Sequence, residues 1–180
     1  MPTTIGFEFT KILNWDGGGT SSAHYTDVTL AAQTPAGPPI RLFNSATHYL
    51  YLGNVQKFDM AVFYMATGGS LGTLTWEYHN GTTWIEFIPA SGRWATDPDD
   101  DEGAQYGFAE DGTENFPANL LSNWATTAVD GETAYWIRAT AASVSVAPEL
   151  TTNISLPEPK SDIVSVPESI LNVSFPVPEA

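Results

Sequence analysis

The side chains with the most obvious chemical potential are carboxylates. The run DPDDDEG at 97–103 sets Asp97, Asp99 and Asp101 at alternate positions of a loop, a spacing that suits the oxygen ligands of calcium. The EF-hand template fails on it. The sixth position, which needs glycine for the sharp turn, is Glu102, and the twelfth, which needs a bidentate glutamate, is Phe108. The run therefore reads as a solvated acidic loop, and no metal is assigned. His24, His48 and His79 stand far apart and match no zinc-ligand spacing. The chain has no cysteine, which excludes thiol catalysis, Cys-ligated metals and a disulfide framework. There is no Gly-x-Ser-x-Gly elbow, and Gly17-Gly18-Gly19 and Gly68-Gly69 lack the strand, spacing and lysine of a phosphate loop. Glycoside hydrolysis needs only two carboxylates across a cleft, but nothing singles out a pair in so acidic a chain. The expectation is a protein that is not an enzyme and carries no cofactor.

The tryptophans are more suggestive. Trp15, Trp76, Trp84, Trp94, Trp124 and Trp136 are six large rings, and exposed aromatic rings on a β-sandwich stack on sugar faces. Strand tryptophans fill cores more often, and Trp76 and Trp136 are expected there. Trp15, before the triple glycine, and Trp94, beside the acidic run, are expected at a contact surface. Trp84 shares a strand face with Glu86, so its side is left open. Trp84 and Trp94 are the candidate glycan-binding residues.

The elements that must position these groups are strands. Of 180 residues 42% are hydrophobic, enough for a packed core, and no amphipathic helix of any length stands out. The clearest hairpin is LTWEYH-NG-TTWIEF, because Asn-Gly between alternating runs suits a type I′ turn at Asn80-Gly81. Its first arm places Leu74, Trp76 and Tyr78 on one face and Thr75, Glu77 and His79 on the other, while Trp84 and Glu86 oppose Ile85 and Phe87. KFDMAVFYMA (57–66) is nearly continuous in apolar residues and predicts a central strand covered on both faces. Residues 90–115 read as a long acidic surface loop, 117–124 as a turn or short helix, and AYWIRATA (134–141) as a further strand. Arg138 in that apolar strand needs a carboxylate partner, and Glu77 is the candidate across the sheet.

Charge narrows the partners. There are 21 acids against 6 bases, for a formal net charge of -15, and the bases are scattered singly. No basic stripe can neutralise phosphates, so nucleic acid is excluded as a partner. No run of 18 apolar residues occurs, and MPTTIGFEFTKIL lacks the basic and apolar regions of a signal peptide, so neither a membrane protein nor a secretory precursor is expected.

The last forty residues carry a weak repeat: VSVAPE at Val144, ISLPEP at Ile154, VSVPES at Val164 and VSFPVP at Val173. Each unit is an apolar-Ser-apolar triplet stopped by proline, suited to a short extended piece with both apolar side chains on one face. Such units belong at sheet edges or in a strap that adds strands to a neighbour, with a disordered tail as the other reading.

Taken in order, YLYLG, KFDMAVFYMA, GTLTWEYHNGTTWIEF, DGTENF, Trp124 and then GETAYWIRATA resemble a β-sandwich domain of structural proteins from tailed bacterial and archaeal viruses. The resemblance covers residues 47–150, with His79 where that group carries an aromatic. It implies a virion protein that binds proteins or host glycans. The expected fold is all-β, a jelly-roll-like antiparallel β-sandwich at 26–150. An N-terminal extension at 1–25 and an extended Pro-rich C-terminal arm at 151–180 flank it. The expected role is a capsid decoration, or cement, protein at the virion surface, made in the host cytoplasm. It would bind the major capsid protein and itself, as a homotrimer, through Ile5, Phe7, Phe9, Ile154, Leu156, Val164, Val166, Val173 and Phe175. The alternative is a carbohydrate-binding or host-adhesion module of a viral fibre or tail, using Trp84 and Trp94.

Overall fold

A computed structural model describes residues 9–33, 38–89, 107–116 and 121–155. Within these residues the chain is an all-β antiparallel sandwich. The larger sheet runs in the order β2 (Tyr25–Asp27), β1 (Lys11–Trp15), β4 (Tyr49–Asn54), β11 (Glu132–Ala141), β7 (Leu74–His79) and β8 (Trp84–Phe87). β10 (Thr126–Val129) also pairs with β11. The ten-residue β11 gives one edge to β4, so β7 and β10 share its other edge end to end. The smaller sheet runs β3 (Ile40–Arg41), β13 (Glu149–Ser155), β5 (Met60–Thr67) and β9 (Gly112–Asn115). β6 (Ser70–Leu71) and β12 (Val144–Val146) form a separate ribbon, and one short helix, α1 (Thr29–Gln33), follows β2.

Period-two alternation closes the core. Leu50, Leu52, Trp76, Tyr78, Ile137 and Ala139 of the larger sheet meet Ala61, Phe63, Phe116 and Leu150 from the smaller one, with Phe43 and Phe108 filling the ends. Phe108 touches Phe43 and Phe63 edge-on, with centroids 5.3 and 5.0 Å apart, the arrangement that aromatic quadrupoles favour.

Several expectations change. β5 is an inner strand, but only Ala61 and Phe63 are buried along it, while Tyr64 is exposed. It is covered on one face rather than two. The hairpin at Asn80 closes by a four-residue loop, in which the Asn80 carboxamide accepts from the backbone N–H of Thr82 and Thr83, both at 2.9 Å. That side chain imitates a backbone turn and so displaces the two-residue type I′ geometry. The latter occurs at Asp130-Gly131 instead, where φ is 47° and 81° between paired Val129 and Glu132.

β1 falls inside the segment 1–25 expected to be an extension, yet it is an inner strand, paired from Lys11 to Trp15 with β4. Phe9, expected at an inter-subunit contact, is 2% exposed and packs edge-on against Phe58 at 5.0 Å. Its apolar area is already removed from water within its own chain, and it leaves the contact set. β13 crosses the expected boundary at 150/151. The first repeat unit forms β12, but a register irregularity between Val144 and Val146 rotates them apart, so Val144 packs on the core and Val146 is exposed. Glu114, expected in a surface loop, is 2% exposed on β9, its Oε2 without a hydrogen bond.

Candidate functional site: the aromatic face of the larger sheet

The face of the larger sheet turned away from the core carries a second cluster. β11 alternates, so Ile137 and Ala139 enter the core while Ala134, Trp136 and Arg138 point outward. Register then sets the neighbours of Arg138, with Tyr51 of β4 on one side and Glu77 of β7 on the other. One step further out, Trp84 pairs with His79 and Trp15 with both Tyr25 and Tyr49.

Arg138 is held on every side. Its Nε donates to Glu77 Oε2 at 2.7 Å, the partnership expected from the sequence, and Nη1 donates to the Tyr51 hydroxyl at 3.2 Å. The guanidinium lies 4.2 Å from the centroid of the Trp84 ring and 4.4 Å from that of Tyr49, so two aromatic faces sandwich it. Burial works against its charge, but the bonds to Glu77 and Tyr51 outweigh that and raise its pKa. Tyr51 is pushed up to about 12 by burial and stays a phenol. Trp136 lies flat on the backbone of Gly53, where a Cβ would stand 2.5 Å from ring atom Cζ3, and its Nε1 donates to the Thr127 carbonyl at 3.0 Å. The glycine of YLYLG is thus a seat for the tryptophan of YWIR.

Beside this stack the surface opens into a pocket of about 260 Å³ where Tyr25, Trp84 and the β10–β11 turn converge. Tyr51 and His79 form its inner side, and Thr20, Thr127 and Asp130 bring polar groups to it. His79 is buried, and desolvation together with the charge of Arg138 lowers its pKa, so it is neutral. Its Nδ1 accepts from the Gly81 N–H at 3.0 Å, which places the ring proton on Nε2.

Trp84 is part of this face, beside Arg138. Trp15 is also here, 5.5 Å from Tyr49 and anchored by Nε1 to the Gly19 carbonyl. Trp76 and Trp136 are buried as expected, although on opposite faces of the sheet. Ile154 is in β13, its backbone in register with Phe63. Ile5, Phe7, Trp94, Leu156, Val164, Val166, Val173, Phe175 and the acidic run 97–103 lie outside the described residues. The histidines are not brought together: His24 pairs with Asp16 at 2.9 Å, and His79 serves the Asn80 loop. Among the described residues no three His, Asp or Glu side chains gather as a metal site, and no helix is long and apolar enough to cross a membrane. The four described basic residues are all engaged, Lys11 with Asp27, Arg41 with Glu149, Arg138 with Glu77, and Lys57 over the Tyr135 ring.

Tyr25, Tyr49, Tyr51, Thr127 and Asp130 were not singled out in the sequence. Alternation in THYLYLG gives Tyr49 and Tyr51 a common face, which is the available signal for those two. The chain matches no known family model, and no curated protein matches it.

Proposed function

We propose that this chain is a structural component of a tailed bacterial or archaeal virus. Its role is that of a capsid decoration protein, which binds and stabilises the major capsid protein lattice and acts by binding, without catalysis. It is a jelly-roll-like sandwich whose terminal segments reach neighbouring subunits in a homotrimer at the virion surface. The observation that carries this reading is β13. It is laced between β3 and β5, so the Pro-punctuated repeats that follow in the sequence start from a rooted strand. A strap fixed at one end transmits a load to the sandwich, which a loosely attached tail does not.

The test is cosedimentation with undecorated capsids, comparing the full chain with one ending at Ser155. Ending at Asn153 would remove the Ile154 and Ser155 pairings to β5 and confuse loss of binding with loss of fold. Saturable binding by the full chain, lost in the shorter one while its β-sheet circular dichroism is kept, is the expected result. Equal binding by both would move the contact onto the sandwich.

The aromatic face favours a second reading, a carbohydrate-binding or host-adhesion module of a fibre or tail. Aromatic rings with a polar rim recognise sugars on β-sandwiches by stacking and hydrogen bonding. On that reading glycan binding is independent of residues 156–180.

A further inference from the structure

The pocket beside Trp84 is assembled from four separate stretches of chain: the turn at Thr20 with β2, Tyr51 in the middle of β4, the β7–β8 hairpin, and the β10–β11 hairpin. We infer that this pocket seats a single ring of a neutral sugar. The inference rests on the adhesion reading of the aromatic face, and adds to it the seat and the ligand class.

Size sets the first limit. Pockets for drug-sized ligands begin at roughly 300 Å³, so about 260 Å³ accommodates one saccharide ring and excludes a long buried chain. The lining matches the two chemistries that a pyranose presents. Its C–H face packs against an aromatic surface, here that of the half-buried Tyr25 and Trp84 over the buried Tyr51. Its hydroxyl rim both donates and accepts, and so meets Thr20, Thr127, the Asp130 carboxylate as a pure acceptor, and the His79 ring with its proton on Nε2. Asp130 is presented by a left-handed turn whose second residue, Gly131, faces open space on the side where a side chain would stand. The turn therefore leaves an open approach.

Charge separates neutral sugars from the other candidates. The Arg138 guanidinium is bonded to Glu77 and Tyr51 and covered by Tyr49 and Trp84, so it has no face to offer an anion, and Lys11, whose charge is felt at Asp130, is held by Asp27 at 2.6 Å. Asp130 and a net charge of -15 then repel carboxylated or sulfated sugars. A quaternary ammonium also needs aromatic faces, but the Trp84 ring is already engaged by Arg138 at 4.2 Å, and a second cation on it is opposed by the first.

The test is calorimetric titration of the full chain with methyl glycosides of glucose, galactose and mannose, alongside N-acetylneuraminic acid and choline, followed by a glycan array. The variants are Tyr25→Leu, Thr127→Val and Trp94→Ala, each checked for an unchanged melting midpoint. Thr127→Val retains the backbone carbonyl that holds Trp136, so it removes one hydroxyl and little else. The expected result is binding of at least one neutral glycoside with Kd on the order of 1 mM, weakened about tenfold or more in Tyr25→Leu and Thr127→Val and unchanged in Trp94→Ala. Binding of only N-acetylneuraminic acid or choline overturns the ligand class. Glycan binding that survives Tyr25→Leu and Thr127→Val but is lost in Trp94→Ala overturns the seat and leaves the adhesion reading standing. No binding to any glycan overturns both.

Discussion

At the scale of single residues, the half-buried Arg138 and the buried Glu114 show opposite solutions to one problem. Arg138 carries its charge inside a ring of partners, whereas Glu114 sits 2% exposed on β9 with one oxygen unbonded. Burial pushes the Glu114 carboxyl up to about 8 from an ordinary 4.5, so it is largely protonated near neutral pH. The folded chain keeps this proton up to about pH 8, while the unfolded chain releases it near pH 4.5. The native state therefore binds more protons across that window, and this residue's contribution to stability is full below pH 4.5 and lost as pH rises through 8. Glu114→Gln is expected to remove the dependence. Urea unfolding at pH 5 and pH 9 should show the variant gaining on the parent by a few kcal/mol at the higher pH. A constant difference between the two would contradict the assignment. The Arg138–Glu77 pair was legible in the sequence because a lone arginine in an apolar strand demands a partner. Glu114 was not, because it stands among acids that read as surface. Its actual signal was Phe116, two residues on and on the same strand face.

At the scale of elements, the legible strands were those whose alternation alone defines a buried face, such as LTWEYH and AYWIRATA. β1 falls in the expected N-terminal extension, and most of β13 in the expected C-terminal arm. KILNW is short, and ELTTNIS has few apolar residues, so what makes each a strand is the partner, β4 for one and β3 with β5 for the other. Pairing across such separations leaves no local pattern. The pocket was illegible for the same reason, since none of its four contributing stretches carries a signature by itself. The contact between elements most open to test is that of β4 with β11, where the Trp136 ring covers Gly53. An alanine methyl at Gly53 would meet three ring atoms at 2.5–2.7 Å. The fully buried ring cannot shift without straining its bond to Thr127. Gly53→Ala is expected to destabilise the fold by about 2–3 kcal/mol, with a change in the near-ultraviolet circular dichroism of the tryptophan cluster. A neutral effect on unfolding would mean that the ring has room to move.

For the whole molecule, the sandwich and its antiparallel pairing follow from the alternation of its strands, while the two faces of the larger sheet take different surroundings. One face closes the core. The other gathers aromatic rings around a neutralised arginine and leaves a small polar pocket at its rim. The full engagement of the described basic side chains also has a consequence for the medium in which the chain folds. Lys11, Arg41 and Arg138 are spent on single carboxylates and Lys57 rests on a ring, so the excess of 21 acids over 6 bases is left to repel itself through solvent. That repulsion is long-ranged, and the screening distance falls from about 30 Å at 0.01 M to about 3 Å at 1 M ionic strength. The melting midpoint is therefore expected to rise steadily as sodium chloride is added over that range, the reverse of what a fold held mainly by surface ion pairs would do. Brine is expected to stabilise a protein with this charge distribution.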